Sequence, residues 1–162
     1  MLSQSRCDEL ARLCNEFRCD VLRAIHAIQS GHPGGSLSVC EILTVLYLEH
    51  ARVFPDDPTR PDQDRVVLGK GHAAPMLYRV LAEKGYFPKE ELSTLRHIDS
   101  RLQGHPCIHT PGVDMPSGPL GIGLAAAQGM ALGMRLRGLD CFAYAILGDG
   151  EINEGTVWET AM

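Results

Sequence analysis

The stretch CFAYAILGDGEINEG, residues 141–155, decides the fold. Cys141 to Leu147 form an unbroken apolar run, the pattern of a strand buried on both faces. It ends in Gly148-Asp149-Gly150, after which a new helical start follows. Ahead of it, GIGLAAAQGMALGMRLR (121–137) is helical and dominated by small residues, which let another backbone approach closely. That suits a buried helix packed on a sheet. Helix, strand, glycine turn and helix in succession imply an α/β fold with a parallel sheet flanked by helices.

In an open parallel sheet, ligands sit beyond the carboxyl ends of the strands, where Gly148-Asp149-Gly150 falls. The two glycines permit a tight turn whose N–H groups point at an anion. A lone carboxylate there suits a hard cation such as Mg²⁺, bridged to phosphate oxygens. A plain strand-to-helix turn with a capping aspartate fits the same three residues. The glycines of SGPLGIG (117–123) are likewise open to two readings, admission of a flat ligand or helix packing.

Upstream, Leu10, Leu13, Phe17, Val21, Ile25 and Ile28 recur at steps of three and four, which predicts a long amphipathic helix. SGHPGGS (30–36) breaks it. Ser38 and Glu41 form a capping-box pattern ahead of a second helix over about 39–50. A Pro- and Asp-rich loop (54–64) leads to a short strand at RVVLG. GKGHAAP turns the chain into a helix over roughly 73–84, and Pro88 starts a short one near 88–96. Gly104 to Gly118 reads as loop.

The 162 residues fit one domain with a real core. A net charge of −5 with no basic stripe excludes general nucleic-acid affinity, so any phosphate binding is local. Six cysteines without a C-x-x-C pair point to a reduced, cytoplasmic setting. No apolar run reaches membrane-spanning length, and the N-terminus lacks a signal core. The expectation is a soluble protein with no membrane partner.

Three histidines each follow a glycine: His32 in SGHPGG, His72 in GKGHAA and His105 in QGHP. One such residue is ordinarily a local hydrogen-bonding group. Three on separate loops of an α/β domain suggest a cleft lined by groups that exchange protons near neutrality. His26, His50, His97 and His109 lack that setting.

Together and in this order, SGHPGGSLS, GKGHAA, LQGHP, TPGVDMPSGPLGIG and LGDGEINEG closely resemble the thiamine diphosphate-binding region of transketolase. The similarity runs along nearly all of residues 1–162. The chain is also similar in style to split enzymes in which this region is a separate polypeptide.

The resemblance implies an enzyme that moves two-carbon ketol units between sugar phosphates, using thiamine diphosphate and Mg²⁺ or another divalent cation. It implies that Asp149 coordinates the metal, while Gly150 and His72 contact the diphosphate. Gly118, Pro119 and Leu120 would present backbone groups to the aminopyrimidine. His32 and His105 would face the sugar and assist proton transfer, and Glu154 would join a carboxylate network across a dimer interface.

The family's metal motif continues to a further asparagine, and its pyrimidine-binding domain supplies the activating glutamate; neither lies in this chain. The closing WETAM carries no helix stop. The expectation is therefore a partial diphosphate-binding domain, inactive alone. It would be completed by a C-terminal region or subunit into a homodimer or heterotetramer. Two other readings are a related thiamine enzyme such as deoxyxylulose-phosphate synthase, and a non-catalytic binding or assembly module of the same fold.

Overall fold

The computed structural model describes residues 2–162. Helix α1, Gln4–Ile28, starts at Ser3, whose hydroxyl accepts the Arg6 amide, and stops at Gln29 in the left-handed region (φ 51°). Its predicted stripe, from Leu10 to Ile25, is buried. The stripe faces helix α4 (Ala74–Lys84), which is buried along nearly its whole length. Arg79 of α4 is only 2% exposed; it lies over the Phe17 ring at 4.1 Å and donates to Asp20 and Glu83, both at 2.8 Å. A buried guanidinium needs such partners on every side.

The expected break at 30–36 is shorter than predicted. The chain leaves α1 at Gln29 but resumes as α2, Pro33–Ser38, with His32 at its N-cap and Pro33 in the first turn. Gly34 and Gly35 thus lie inside a helix, against their propensity. Gly35 has a tertiary reason: a Cβ there would come within 2.5 Å of the His72 ring.

Helix α3, Cys40–Val45, runs on through a wide turn at Leu46–His50, close to the predicted 39–50. The capping box does not form. The Ser38 hydroxyl donates back to the Gly35 carbonyl, and Glu41 reaches across to pair with Arg18 of α1.

Strands β1 (Arg65–Leu68) and β2 (Ala143–Ile146) pair in parallel, Arg65 opposite Ala143 and Leu68 opposite Ile146. The parallel sheet is as expected, but β2 is only half-buried. Among the described residues it has a single neighbouring strand, so its far edge and part of its outer face are uncovered. The other edge of β1 is closed by Asp114, whose carboxylate accepts from the Val66 amide at 3.1 Å and from Arg65 at 2.7 Å. Burial pushes the Asp114 carboxyl above its usual range, opposed by those two donors.

Helix α5, Ile122–Leu136, packs on both strands. It buries Gly123, Ala127 and Met134 and leaves Leu132 and Leu136 exposed, so it is covered on one face and not all round. Helix α6, Gly155–Ala161, lies against α5. The 104–118 segment is irregular, as predicted, and the short helix after Pro88 is a tighter turn, Lys89–Thr94. All six cysteines are free; Cys14 and Cys40 are buried in the α1–α3 contact. Among the described residues, no helix is long and apolar enough to cross a membrane.

Candidate functional site

Because β1 and β2 are parallel and in register, the segments that follow them leave the sheet side by side. Gly69 and Lys70 both donate their amides to Ile146, at 2.8 and 3.4 Å. The Gly69–His72 turn and the Leu147–Gly150 turn therefore share one edge. Glycine at 123 lets α5 cross close above Gly69: a Cβ on Gly123 would stand 2.9 Å from the Gly69 Cα. That crossing brings the start of α5, with Gly118 to Gly121, to the same edge.

Two of the three glycine-linked histidines meet directly. The rings of His32 and His72 are 5.6 Å apart, edge to face. His72 is half-buried against Gly35; His32 and His105 are exposed. His105 is the third member: a Cβ on Gly71 would lie 3.0 Å from its ring, and one on Gly118 3.5 Å from it. Its backbone is held by the Tyr78 hydroxyl of α4, which donates to the carbonyls of Gln103 (2.9 Å) and His105 (3.2 Å). The Ser117 hydroxyl is buried in this group without a hydrogen-bond partner. An unpaired buried hydroxyl is costly, so a polar group arriving here would find an acceptor or donor ready.

Burial lowers the His72 pKa, and the charges of Lys70, His32 and His105 lower it further, while Glu151 acts the other way. The ring is thus neutral near pH 7, able to accept a proton on one nitrogen and donate from the other. The unfolded chain binds a proton at His72 before the folded chain does, so this contribution to stability is present above pH ~6.5 and lost as pH falls below it. Proton NMR of the imidazoles should show His72 titrating below the ordinary imidazole value of about 6.5. A midpoint at or above that value would overturn this assignment.

Asp149 is exposed, and no hydrogen bond or ion pair holds its carboxylate among the described residues. The chain turns at Asp149 and Gly150 as expected, the Ile152 amide returning to the Gly148 carbonyl at 3.3 Å, but neither glycine has positive φ; Gly150 sits at φ −70° with nothing within 4 Å of where a Cβ would be. Its value is open access to backbone. The glycine that the backbone does require is Gly121, at φ 83°. Pro119 and Leu120 are exposed beside it. Among the described residues no three His, Cys, Asp or Glu side chains gather as a metal cage. A single free carboxylate facing open backbone fits Mg²⁺, which keeps several waters and takes one or two carboxylates plus phosphate oxygens.

The residue that sequence reasoning missed is Glu151. It is 2% exposed, and its two carboxylate oxygens accept from the Gly121 amide (2.9 Å) and the Gly148 amide (3.0 Å). Glu154, chosen instead, is exposed and caps α6 only by its backbone. The signal was present: Glu151 stands three residues after Gly148, the spacing at which a glutamate reaches back to an amide at a helix start.

The family signature described as "Transketolase, thiamine diphosphate binding domain" matches residues 10–162. This chain belongs to the transketolase family. It is 45% identical over 155 residues to SqwG, a 6-deoxy-6-sulfo-D-fructose transketolase subunit of Clostridium sp. (strain MSTE9), covering 95% of this chain and 56% of that protein. It is 43% identical over 157 residues to the transketolase of Homo sapiens, covering 96% of this chain and 25% of that one. The solved transketolase of Campylobacter jejuni superposes with a TM-score of 0.87 at 34% identity, over 93% of this chain and 25% of that chain.

The chain therefore spans about half the length of SqwG and a quarter of the longer relatives. The likeness accounts for the shared strand edge. In the transketolase fold the domain binds thiamine diphosphate, and here the GKGHA, SGPLG and GDG segments converge at that edge.

Proposed function

We propose that residues 1–162 form part of a transketolase diphosphate-binding domain and serve one half of its active site. The completed enzyme would transfer two-carbon ketol units between sugar phosphates. The observation that carries this reading is the convergence of His32, His72 and His105 with the Gly118–Gly121 and Gly148–Gly150 segments on one edge of a parallel sheet.

In this reading Asp149 holds Mg²⁺ or a similar divalent cation, and the open Gly150 amide and neutral His72 hold the diphosphate. Thiamine diphosphate, when bound, supplies carbanion chemistry at a carbonyl carbon. The protein's own share is orientation and proton movement. Gly118, Pro119 and Leu120 offer backbone groups to the flat ring of the cofactor. His32 and His105, both exposed near His72, hydrogen-bond sugar hydroxyls and shuttle the protons that move as a carbon–carbon bond breaks or forms. Glu154, free at the start of α6, faces outward, where a second protomer's carboxylate network would meet it.

A second chain or region brings the remaining metal ligand and the pyrimidine-binding domain. Two relatives that are themselves single subunits of split enzymes support this division: SqwG, and one from the apulose-4-phosphate transketolase of Phocaeicola vulgatus. The assembly would be a homodimer or heterotetramer, and six free thiols suit a cytoplasmic site for it. The test is ketol transfer from xylulose 5-phosphate to ribose 5-phosphate with thiamine diphosphate and Mg²⁺. The chain alone should give none, and the chain completed by its C-terminal region or partner protein should turn over. Activity of the chain alone would remove the need for completion; no transfer by the completed protein from any ketose phosphate would remove the reading itself.

A further inference from the structure

We propose that Glu151 is a positioning residue that clamps the two cofactor-binding segments together, fixing the distance between the aminopyrimidine side and the metal side of the site. The inference rests on the functional reading above for what the segments bind, and on hydrogen-bond geometry for the clamp itself.

One carboxylate oxygen takes the Gly121 amide at 2.9 Å, and the other takes the Gly148 amide at 3.0 Å. Gly121 closes the SGPLG loop; Gly148 opens the turn that carries Asp149. The two amides are 27 positions apart in sequence and are joined through one side chain. Among the described residues, no cation pairs with Glu151, although it is nearly fully buried. A carboxylate withdrawn from water without a counter-ion is retained only where its hydrogen bonds are good.

Gly69 completes the seat, since a Cβ there would strike the carboxylate at 2.7 Å. The absence of a side chain at Gly69 is thus explained by Glu151, which also ties the end of β1 into the clamp. Glutamine at this position has the same shape but one acceptor oxygen, so it can serve only one of the two amides. The other N–H would face an NH₂ group. One loop must therefore loosen relative to the other, while the core under β1 stays as it was.

The experiment uses the completed protein, this chain with its C-terminal region or partner, and its Glu151→Gln variant, with this chain labelled with nitrogen-15. Amide exchange and a titration with thiamine diphosphate in excess Mg²⁺ are read from the same spectra. At least one of the Gly121 and Gly148 amides should exchange faster by about tenfold, with Val67 and Leu68 unchanged, and thiamine diphosphate should bind about tenfold more weakly, the scale of one charge-assisted hydrogen bond. A merely structural role would raise exchange throughout the sheet and lower affinity only in step with unfolding. Unchanged exchange at both amides overturns the clamp, as does wild-type affinity with either amide released. Should the Gln variant fail to fold, Glu151→Asp, which keeps the charge but withdraws it by one methylene, carries the same outcomes. If the completed wild-type protein binds no thiamine diphosphate, the functional reading fails, and the exchange data alone decide the clamp.

Discussion

Asp149→Asn should abolish the Mg²⁺-dependent part of thiamine diphosphate binding, weakening it by on the order of 100-fold, and leave the fold untouched. The stability half of this follows from exposure. The Asp149 side chain is solvent-facing and unpaired among the described residues, so its replacement should alter unfolding free energy by no more than about 0.5 kcal/mol.

The binding half follows from chemistry. Asparagine keeps one oxygen but loses the negative charge with which Asp149 would hold a hard cation. Even groups one step removed from a metal cost roughly 10- to 100-fold when lost, and a ligand should stand at or above the upper end of that range. Calorimetric titration of the completed protein with thiamine diphosphate, with Mg²⁺ and with EDTA, separates the cases. The wild type should respond strongly to EDTA and the variant hardly at all. A variant that binds as tightly as wild type with Mg²⁺ would move the metal to another residue. Glu159→Gln is the control, because that carboxylate is exposed on α6 and lies outside the convergent segments, so its loss should leave cofactor affinity unchanged.

The elements were legible in the sequence where one local pattern decided them. The Leu10-to-Ile28 stripe, the RVVL strand and the loop around QGHP each carry their own period or breakers, and each is found in its predicted place. What failed depended on a distant neighbour. Nothing near Gly34 and Gly35 announces a helix, because the reason for glycine at 35 is the His72 ring, brought in from the far side of β1. Ser38 and Glu41 satisfy a capping rule on paper, but Arg18 competes for the glutamate from a separate helix. The apolar run at 141–147 implied cover on both faces, and the described residues cover one edge.

The site divided in the same way. Gly-His pairs flagged His32, His72 and His105 because unusual residues stand in loops, and the structure brings all three together. Glu151 and Glu154 are chemically identical, and only the tight turn at Glu151–Asn153 decides which of them faces inward. A sequence pattern registers that an acid follows the glycines. It does not register that Gly69 makes room for one of the two and that Gly121 offers it an amide.

Glycine in α5 offers the sharpest test of that dependence on neighbours, since the same substitution in one helix should change sign with position. Gly129→Ala and Gly133→Ala should each stabilise the chain, and Gly123→Ala should destabilise it. A helical glycine costs about 0.5–1 kcal/mol relative to alanine through the freedom it loses on folding. At 129 and 133 nothing lies within 4 Å of a new methyl group, so that gain is kept whole.

At 123 the methyl would meet the Gly69 Cα at 2.9 Å and the Val67 side chain at 3.3 Å. The first of these is backbone in a buried strand end and cannot turn aside. Overpacking of this kind costs about 1–3 kcal/mol, which at mid-range outweighs the helical gain and leaves a net loss of about 1 kcal/mol. Urea unfolding of the three variants should therefore place midpoints on opposite sides of wild type. A Gly123→Ala midpoint at or above wild type would show that α5 can lift off the sheet without cost.

The functional consequence of Gly123→Ala separates it further from a surface change. Lifting α5 at its first turn raises Gly121 away from Glu151, and with it the loop proposed to face the cofactor, while His32 and His72 stay on their own elements. Cofactor affinity should fall even in the fraction that remains folded. In Gly129→Ala and Gly133→Ala, about two and three turns further along the helix, it should not change.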